Sequence, residues 1–180
     1  MWVRLLAVSC VFFVLAAAGS TSAAERPLTP RSVLDGKVVI LVPSDFDLMS
    51  EEMARLKYPS ERRPPIVFTN YDASVNITVK PTEHRMTEAD AGAVRTTFQR
   101  MFENLYPTGN VRSSIIELDG KTAFFFDMTT PAIDTPIRNL LAGTSVDSRL
   151  VMFSFNVTRE LESEWIDTGK HILTSIEFRD

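Results

Sequence analysis

One cysteine, two histidines and seven glycines in 180 residues exclude a good deal. The cysteine, Cys10, falls in the first 24 residues, so the rest of the chain has no thiol and no disulfide can staple it. Neither His84 nor His171 stands in a metal-ligand spacing such as HExxH. There is no Walker loop, no Rossmann glycine pattern, no GxSxG elbow and no cysteine nucleophile. No metal, cofactor or catalytic residue is therefore assigned from the sequence. Positive charge is also scarce. The chain carries 19 Lys and Arg against 23 Asp and Glu, a net charge of −4. That balance argues against nucleic acid as a partner and leaves no basic stripe for anionic lipid.

The N-terminus sets the expected compartment. "MWVR" is a short basic region. "LLAVSCVFFVLAAA" follows as an apolar run of about 14 residues, within the signal-peptide range and short of a bilayer span. "TSAAE" then places Ser22 and Ala24 at the −3 and −1 positions of a cut before Glu25. Residues 1–24 read as a cleaved signal peptide, and the product as exported, periplasmic or extracellular, with no stable membrane anchor after cleavage. Cys10 sits inside the apolar run and not after it, so lipidation is rejected. About 155 residues remain, enough for one domain with a sizeable core.

Along that remainder, residues 25–36, "ERPLTPRSVLDG", read as an exposed lead-in and residues 37–180 as a single domain. "KVVILVP" is a β-rich run. "SEEMARLKYP" is a helix of about two turns, capped by Ser50 and stopped by Pro59. Val75, Ile77 and Val79 alternate with polar residues behind a turn at "NYDAS", which gives a hairpin. The clearest helix is "TEADAGAVRTTFQRMFENLYP". Thr87 and Asp90 stand in a capping-box-like relation, and Ala91, Val94, Phe98, Met101, Phe102 and Leu105 form one apolar stripe. "VRSSIIELDGKTAFFFDMTTP" is a second hairpin turning on Asp119-Gly120. "PIRNLLAGTSVDSRLVMFSFNVT" is a third, with its loop near "SVDSR". "RELESEWIDTGKHILTSIEF" closes the chain as a helix striped by Leu161, Trp165, Ile172 and Ile176. Gly169 inside it costs about 1 kcal/mol relative to alanine.

Phe124, Phe125 and Phe126 test the layering. Neighbours on a strand point to opposite faces, so three consecutive phenylalanines suit a strand covered on both sides. Val151 and Phe153 oppose Leu150 and Met152 in the same way. The expected fold class is α+β: an antiparallel sheet of about six strands with helices packed on both faces, an α/β/α sandwich. The triple phenylalanine is then core.

This order of elements, with "DGKTAFFFDM", "SRLVMFSFNVT" and a Trp-bearing last helix ending "ILTSIEF", resembles the PsbP-like family, which includes the DcrB-like proteins, from about Val38 to Phe178. The resemblance implies the PsbP-like fold. It also implies an accessory, assembly or adaptor role and no common catalytic centre. These motifs form core, so they speak to fold more than to function.

Site candidates are few. His84 lies among Glu83, Glu88 and Asp90 and reads as a solvated strand-to-helix turn. His171 lies beside the apolar stripe of the last helix and reads as structural. Asp45 and Asp47 read as a polar loop. Asn76 and Asn156 head glycosylation-type sequons, but both fall in strands. "LKYPSERRPP" is the exception. Tyr58, Arg62 and Arg63 cluster between prolines, and Tyr and Arg are favoured at interface hot spots. They are the candidate partner-binding residues. The functional expectation is an exported, non-catalytic accessory or adaptor protein of the cell envelope that binds a partner protein. The alternative is a small-ligand binder or hydrolytic enzyme with a pocket between sheet and helix. Intact-mass measurement of the exported product is expected to show a chain beginning near Glu25 with no lipid on Cys10.

Overall fold

The computed structural model describes residues 26–61 and 63–179. The signal-peptide reading of residues 1–24, with Cys10, lies outside the described residues, as does Arg62. The chain runs β1 (Leu28–Val33), β2 (Val38–Pro43), β3 (Asp47–Leu48), α1 (Glu51–Lys57), β4 (Ile66–Thr69), β5 (Val75–Arg85), α2 (Ala91–Leu105), β6 (Arg112–Leu118), β7 (Lys121–Thr130), β8 (Ile137–Val146), β9 (Arg149–Thr158), α3 (Glu162–Thr174) and β10 (Glu177–Phe178). Short 3₁₀ turns precede α2 and α3. No helix among the described residues is long and apolar enough to cross a membrane.

Local chemistry explains most boundaries. Ser50 caps α1 by accepting from the Met53 amide at 3.2 Å. Ahead of α2, the Asp90 carboxylate accepts from both the Thr87 amide and the Thr87 hydroxyl, at 2.8 and 2.7 Å. Asp119 and Gly120 take φ of 46° and 78°, the left-handed pair that a two-residue hairpin needs. Asp147 and Ser148 do the same without glycine, at 51° and 58°.

The main sheet has seven strands in the order β3-β4-β5-β9-β8-β7-β6, all neighbours antiparallel. A second sheet, β1-β2-β10, joins both ends of the described chain to one strand. Helices α2 and α3 take opposite faces of the main sheet. Phe124 and Phe126, both fully buried, face α2 together with Leu150, Met86 and Ala91. There Phe98 meets Phe124 edge-on at 5.7 Å and Phe102 meets Phe126 at 5.2 Å. Phe125 points the other way and packs, half-buried, against the larger core with Phe153, Phe155, Ile77, Leu140 and Ile172. The triple phenylalanine thus serves two cores, as its alternation requires.

On the larger side α3 lies very close to the sheet. A Cβ at Gly169 would stand 2.3 Å from Cδ1 of Phe155, so glycine is required by the contact and not by its own φ. Trp165 lies one turn earlier, with ring centroids 5.3 Å from Phe46 and 6.5 Å from Phe155. Arg26 stacks on Trp165 at 3.9 Å and pairs with Glu164 at 3.4 Å. At the start of α3, Glu162 lies 3.6 Å from Arg138, which pairs with Asp127 at 2.6 Å. Asp127 also pairs with Arg112 at 2.8 Å.

The antiparallel sheet with a helix on each face is as expected; it has seven strands, and a second, three-stranded sheet stands beside it. Two expectations change. The stretch read as an exposed lead-in contains β1: Pro30, Arg31 and Ser32 are exposed, but Val33 is buried and the whole strand pairs with β2. Two prolines and a charged middle hide this edge strand from a pattern search. The last helix stops at Thr174, and Glu177 and Phe178 pair with β2. Gly169→Ala should lower stability in urea melts by about 1–3 kcal/mol through overpacking, although alanine is the better helix former by about 1 kcal/mol. Phe126→Ala should cost about 3–5 kcal/mol. Half-buried Phe125→Ala should cost about 1–2 kcal/mol, part of the full burial value.

Candidate functional site

The two faces of the main sheet are covered unequally. α3 and β2 close one side, whereas α2 packs mainly on β6 and β7 and reaches β9 at Leu150. The strip of β5 and β9 beside α2 is left as the floor of a groove of about 900 Å³. Leu150 and Met152 form its floor, Phe98 and Met101 its helical wall, and Lys80, Thr82 and Arg63 stand across from them. A smaller hollow of about 460 Å³ shares His84, Phe98 and Leu150 and continues toward Met86 and Asp90.

The α2 stripe explains the apolar wall. Ala91 is buried and Phe98 and Phe102 pack on the smaller core, but Met101 and Leu105 turn away from it and are 39% and 60% exposed. A stripe wider than the sheet contact leaves its far edge bare. The rim is charged with both signs: Arg63, Lys80 and Glu61 line the groove, and Glu83 pairs with Arg149 at 2.8 Å.

Farther along this face the floor turns polar. Asn76, Asn156 and Asn139 are cross-strand neighbours in one row. Their amides are engaged. Thr69 donates to the Asn76 carbonyl at 2.8 Å and Asn76 donates to Ala73 O at 3.1 Å. Asn156 donates to Asn139, which donates to Thr130 at 2.9 Å. The Thr78 and Ser154 hydroxyls bond each other at 2.6 Å. In the fold Asn76 is only 7% exposed, so its sequon is not presented to a modifying enzyme.

The candidate residues separate. Tyr58 ends α1, where its amide donates to Ala54 O. It is half-buried, not exposed as its composition suggested, and burial raises its phenol above the ordinary value. Arg62 lies outside the described residues. Arg63 is held by a backbone bond from its amide to Ser60 O at 3.1 Å, and it lines the groove. Of the candidate residues, the structure places Arg63 at the groove; the groove itself was not read from the sequence. Leu150 and Met152, apolar on the strand face opposite Val151 and Phe153, were the available signal. His84 lines the groove, but among the described residues no group of three or more His, Cys, Asp or Glu is placed to hold a metal. Asp45 and Asp47 line a separate hollow of about 300 Å³ at the β3 edge with Leu48 and Tyr71.

No family model matches the chain, and no curated protein matches it in sequence. Solved structures do match. A solution structure of cyanobacterial PsbP (CyanoP) from Synechocystis sp. PCC 6803 superposes with a TM-score of 0.62 at 15% identity, over 92% of this chain and 99% of that one. The chain has the PsbP-like fold. A protein from Bacteroides thetaiotaomicron matches with a TM-score of 0.53 at 13% identity, over 84% of this chain and 48% of that one. LpqN of Mycobacterium tuberculosis, described as involved in cell envelope biogenesis, matches with a TM-score of 0.50 at 11% identity, over 87% and 92% of the two chains. At these identities the likeness carries fold and not residues, so the PsbP-like scaffold leaves the groove to be judged on its own chemistry.

Tyr58 gives a direct check on the loop. Burial favours the protonated phenol, so the folded-state pKa lies above the unfolded one. The stabilisation it carries is present below the unfolded value, near pH 10, and is lost as pH rises through the folded value. Stability should therefore fall more steeply at high pH in the wild type than in Tyr58→Phe, as read by urea melts across that range. Arg63→Ala should stay within about 0.5 kcal/mol of wild type at neutral pH.

Proposed function

We propose that the chain is an exported, non-catalytic accessory protein of the cell envelope that binds a partner protein through the groove beside α2. The supporting observation is the partly covered strip itself. Phe98 and Met101 line a wall opposite Arg63, above a floor where α2 buries Leu150 but leaves Met152 half-buried. An apolar, partly exposed surface with arginine at its rim has the composition of an interface centre. The accessory role and the export follow the PsbP-like fold and the leader-like N-terminus.

A second reading rests on size. A hollow of about 900 Å³ lies within the range of small-molecule sites, so an amphiphilic ligand could occupy the same floor. The two are separable. Arg63→Ala and Met101→Glu should keep the wild-type melting temperature, because these side chains lie outside both cores. In reciprocal purification from envelope extract, each should lose the partner that the wild type retains. Tyr58 is left intact in this test, since its burial would confuse stability with binding. Unchanged partner recovery from both variants defeats the reading. Native mass spectrometry of the gently purified wild type showing a bound small molecule, displaced in Met101→Glu, favours the ligand instead.

A further inference from the structure

Two side chains are exposed far beyond what folding requires. Tyr71 is 104% exposed in the β4–β5 turn, and Ile133 is 102% exposed in the β7–β8 turn. Backbone bonds bring the two turns together. Ser74 O accepts from the Thr158 amide at 3.1 Å, and Pro136 O accepts from the Arg159 amide at 3.0 Å. Those amides are consecutive at the end of β9, so the turns flank one strand end. β5, β9 and β8 are neighbours, which sets the turn bases two strand spacings apart, about 10 Å.

The Tyr71 turn is tightly held. Asp72 Oδ1 accepts from Asn70 Nδ2 at 2.7 Å, from the Ser74 amide at 3.0 Å and from the Ser74 hydroxyl at 2.6 Å. Asn70 Oδ1 accepts from the Val75 amide at 3.0 Å. Ala73 completes the turn in the left-handed region at φ 55° and is buried. A turn fixed this firmly around a fully exposed tyrosine spares a binding partner the entropy of ordering it. The other tip is stiffened by Pro131 and Pro136, and Thr135 anchors it to Glu160 at 2.6 Å.

The charge around the tips is mixed but acidic on balance: Lys57 Nζ donates to Ala73 O at the Tyr71 turn and Arg159 adjoins Glu160, against Asp47, Asp72, Asp134 and Glu160. Each exposed apolar residue is followed at once by an aspartate, Asp72 after Tyr71 and Asp134 after Ile133. Asp47 and the 64%-exposed Leu48 share a hollow with Tyr71. We propose that this end of the sheet is a docking surface for a protein partner that offers two apolar sockets ringed by basic side chains. Tyrosine at the centre of such a contact supplies large area at low entropic cost. The aspartates would repel an anionic lipid surface and equally a second copy of the same surface. The surface lies on different elements from the α2 groove and does not depend on it.

The test is site-specific cross-linking of the full chain in producing cells. A benzophenone amino acid replaces Tyr71, Ile133 or, as control, the exposed Glu117 on β6. Positions 71 and 133 should give adducts with the same polypeptide, absent from position 117, and that polypeptide should carry Lys or Arg at the cross-linked segment. Asp134→Lys in either background should reduce the adduct about tenfold or more, since like charges face each other, with the melting temperature unchanged. Asp72 is left alone because it holds the turn. No adduct, an adduct shared with position 117, a self-adduct, or indifference to Asp134→Lys would overturn the proposal. So would Tyr71-dependent sedimentation of the purified protein with phosphatidylethanolamine–phosphatidylglycerol vesicles.

Discussion

The contact between Gly169 and the Phe155 ring fixes the distance from α3 to the sheet. At that distance Trp165 reaches both Phe155 and Phe46, and the larger core closes between the main sheet, α3 and β2. The helix gives up about 1 kcal/mol of propensity at the glycine and gains a ring-on-backbone fit that any larger side chain would destroy. With no cysteine after residue 10, no covalent link stands in for that fit.

The same closeness makes the two sides of the sheet unequal. The α3 side is sealed by a helix and a second sheet. The α2 side holds one helix, placed over β6 and β7, and its aromatic cluster with Phe124 and Phe126 anchors it there. β5 and β9 share little of that cover, although Leu150 near the start of β9 is buried in the same cluster. Where they run beyond it their side chains change character, from Leu150 and Met152 at one end to the bonded row of Asn76, Asn156 and Asn139 at the other. The apolar end is the groove, and the polar end satisfies itself.

The legible parts of the fold were those set by short-range chemistry. Asp119-Gly120, the Thr87–Asp90 pair, the Val75–Ile77–Val79 alternation and the paired orientations of Phe124 to Phe126 each appear in the structure as the residue pattern implied. Longer-range pairing was not legible. β1 looks like a loop because its edge carries Pro30, Arg31 and Ser32, and β10 is two residues long. Of the candidate site, Arg63 was found on the groove rim. The half-burial of Tyr58 is not revealed by composition. Tyr71 gave no signal, since a tyrosine in "NYDAS" reads equally well as turn or contact until its exposure is known.

The pairing of β5 with β9 has a consequence for synthesis. Val75, Ile77 and Val79 are fully buried in the finished sheet, yet their partners Val157, Phe155 and Phe153 lie 74 to 82 residues later in the chain. Strands β6 to β9 form a meander of successive hairpins and can assemble as they emerge. The β4–β5 hairpin comes out of the ribosome earlier and must wait, apolar side bare, for the last strand of that meander. During this interval the nascent chain is most open to aggregation, and a chaperone that shields residues 66–80 would act at the right moment.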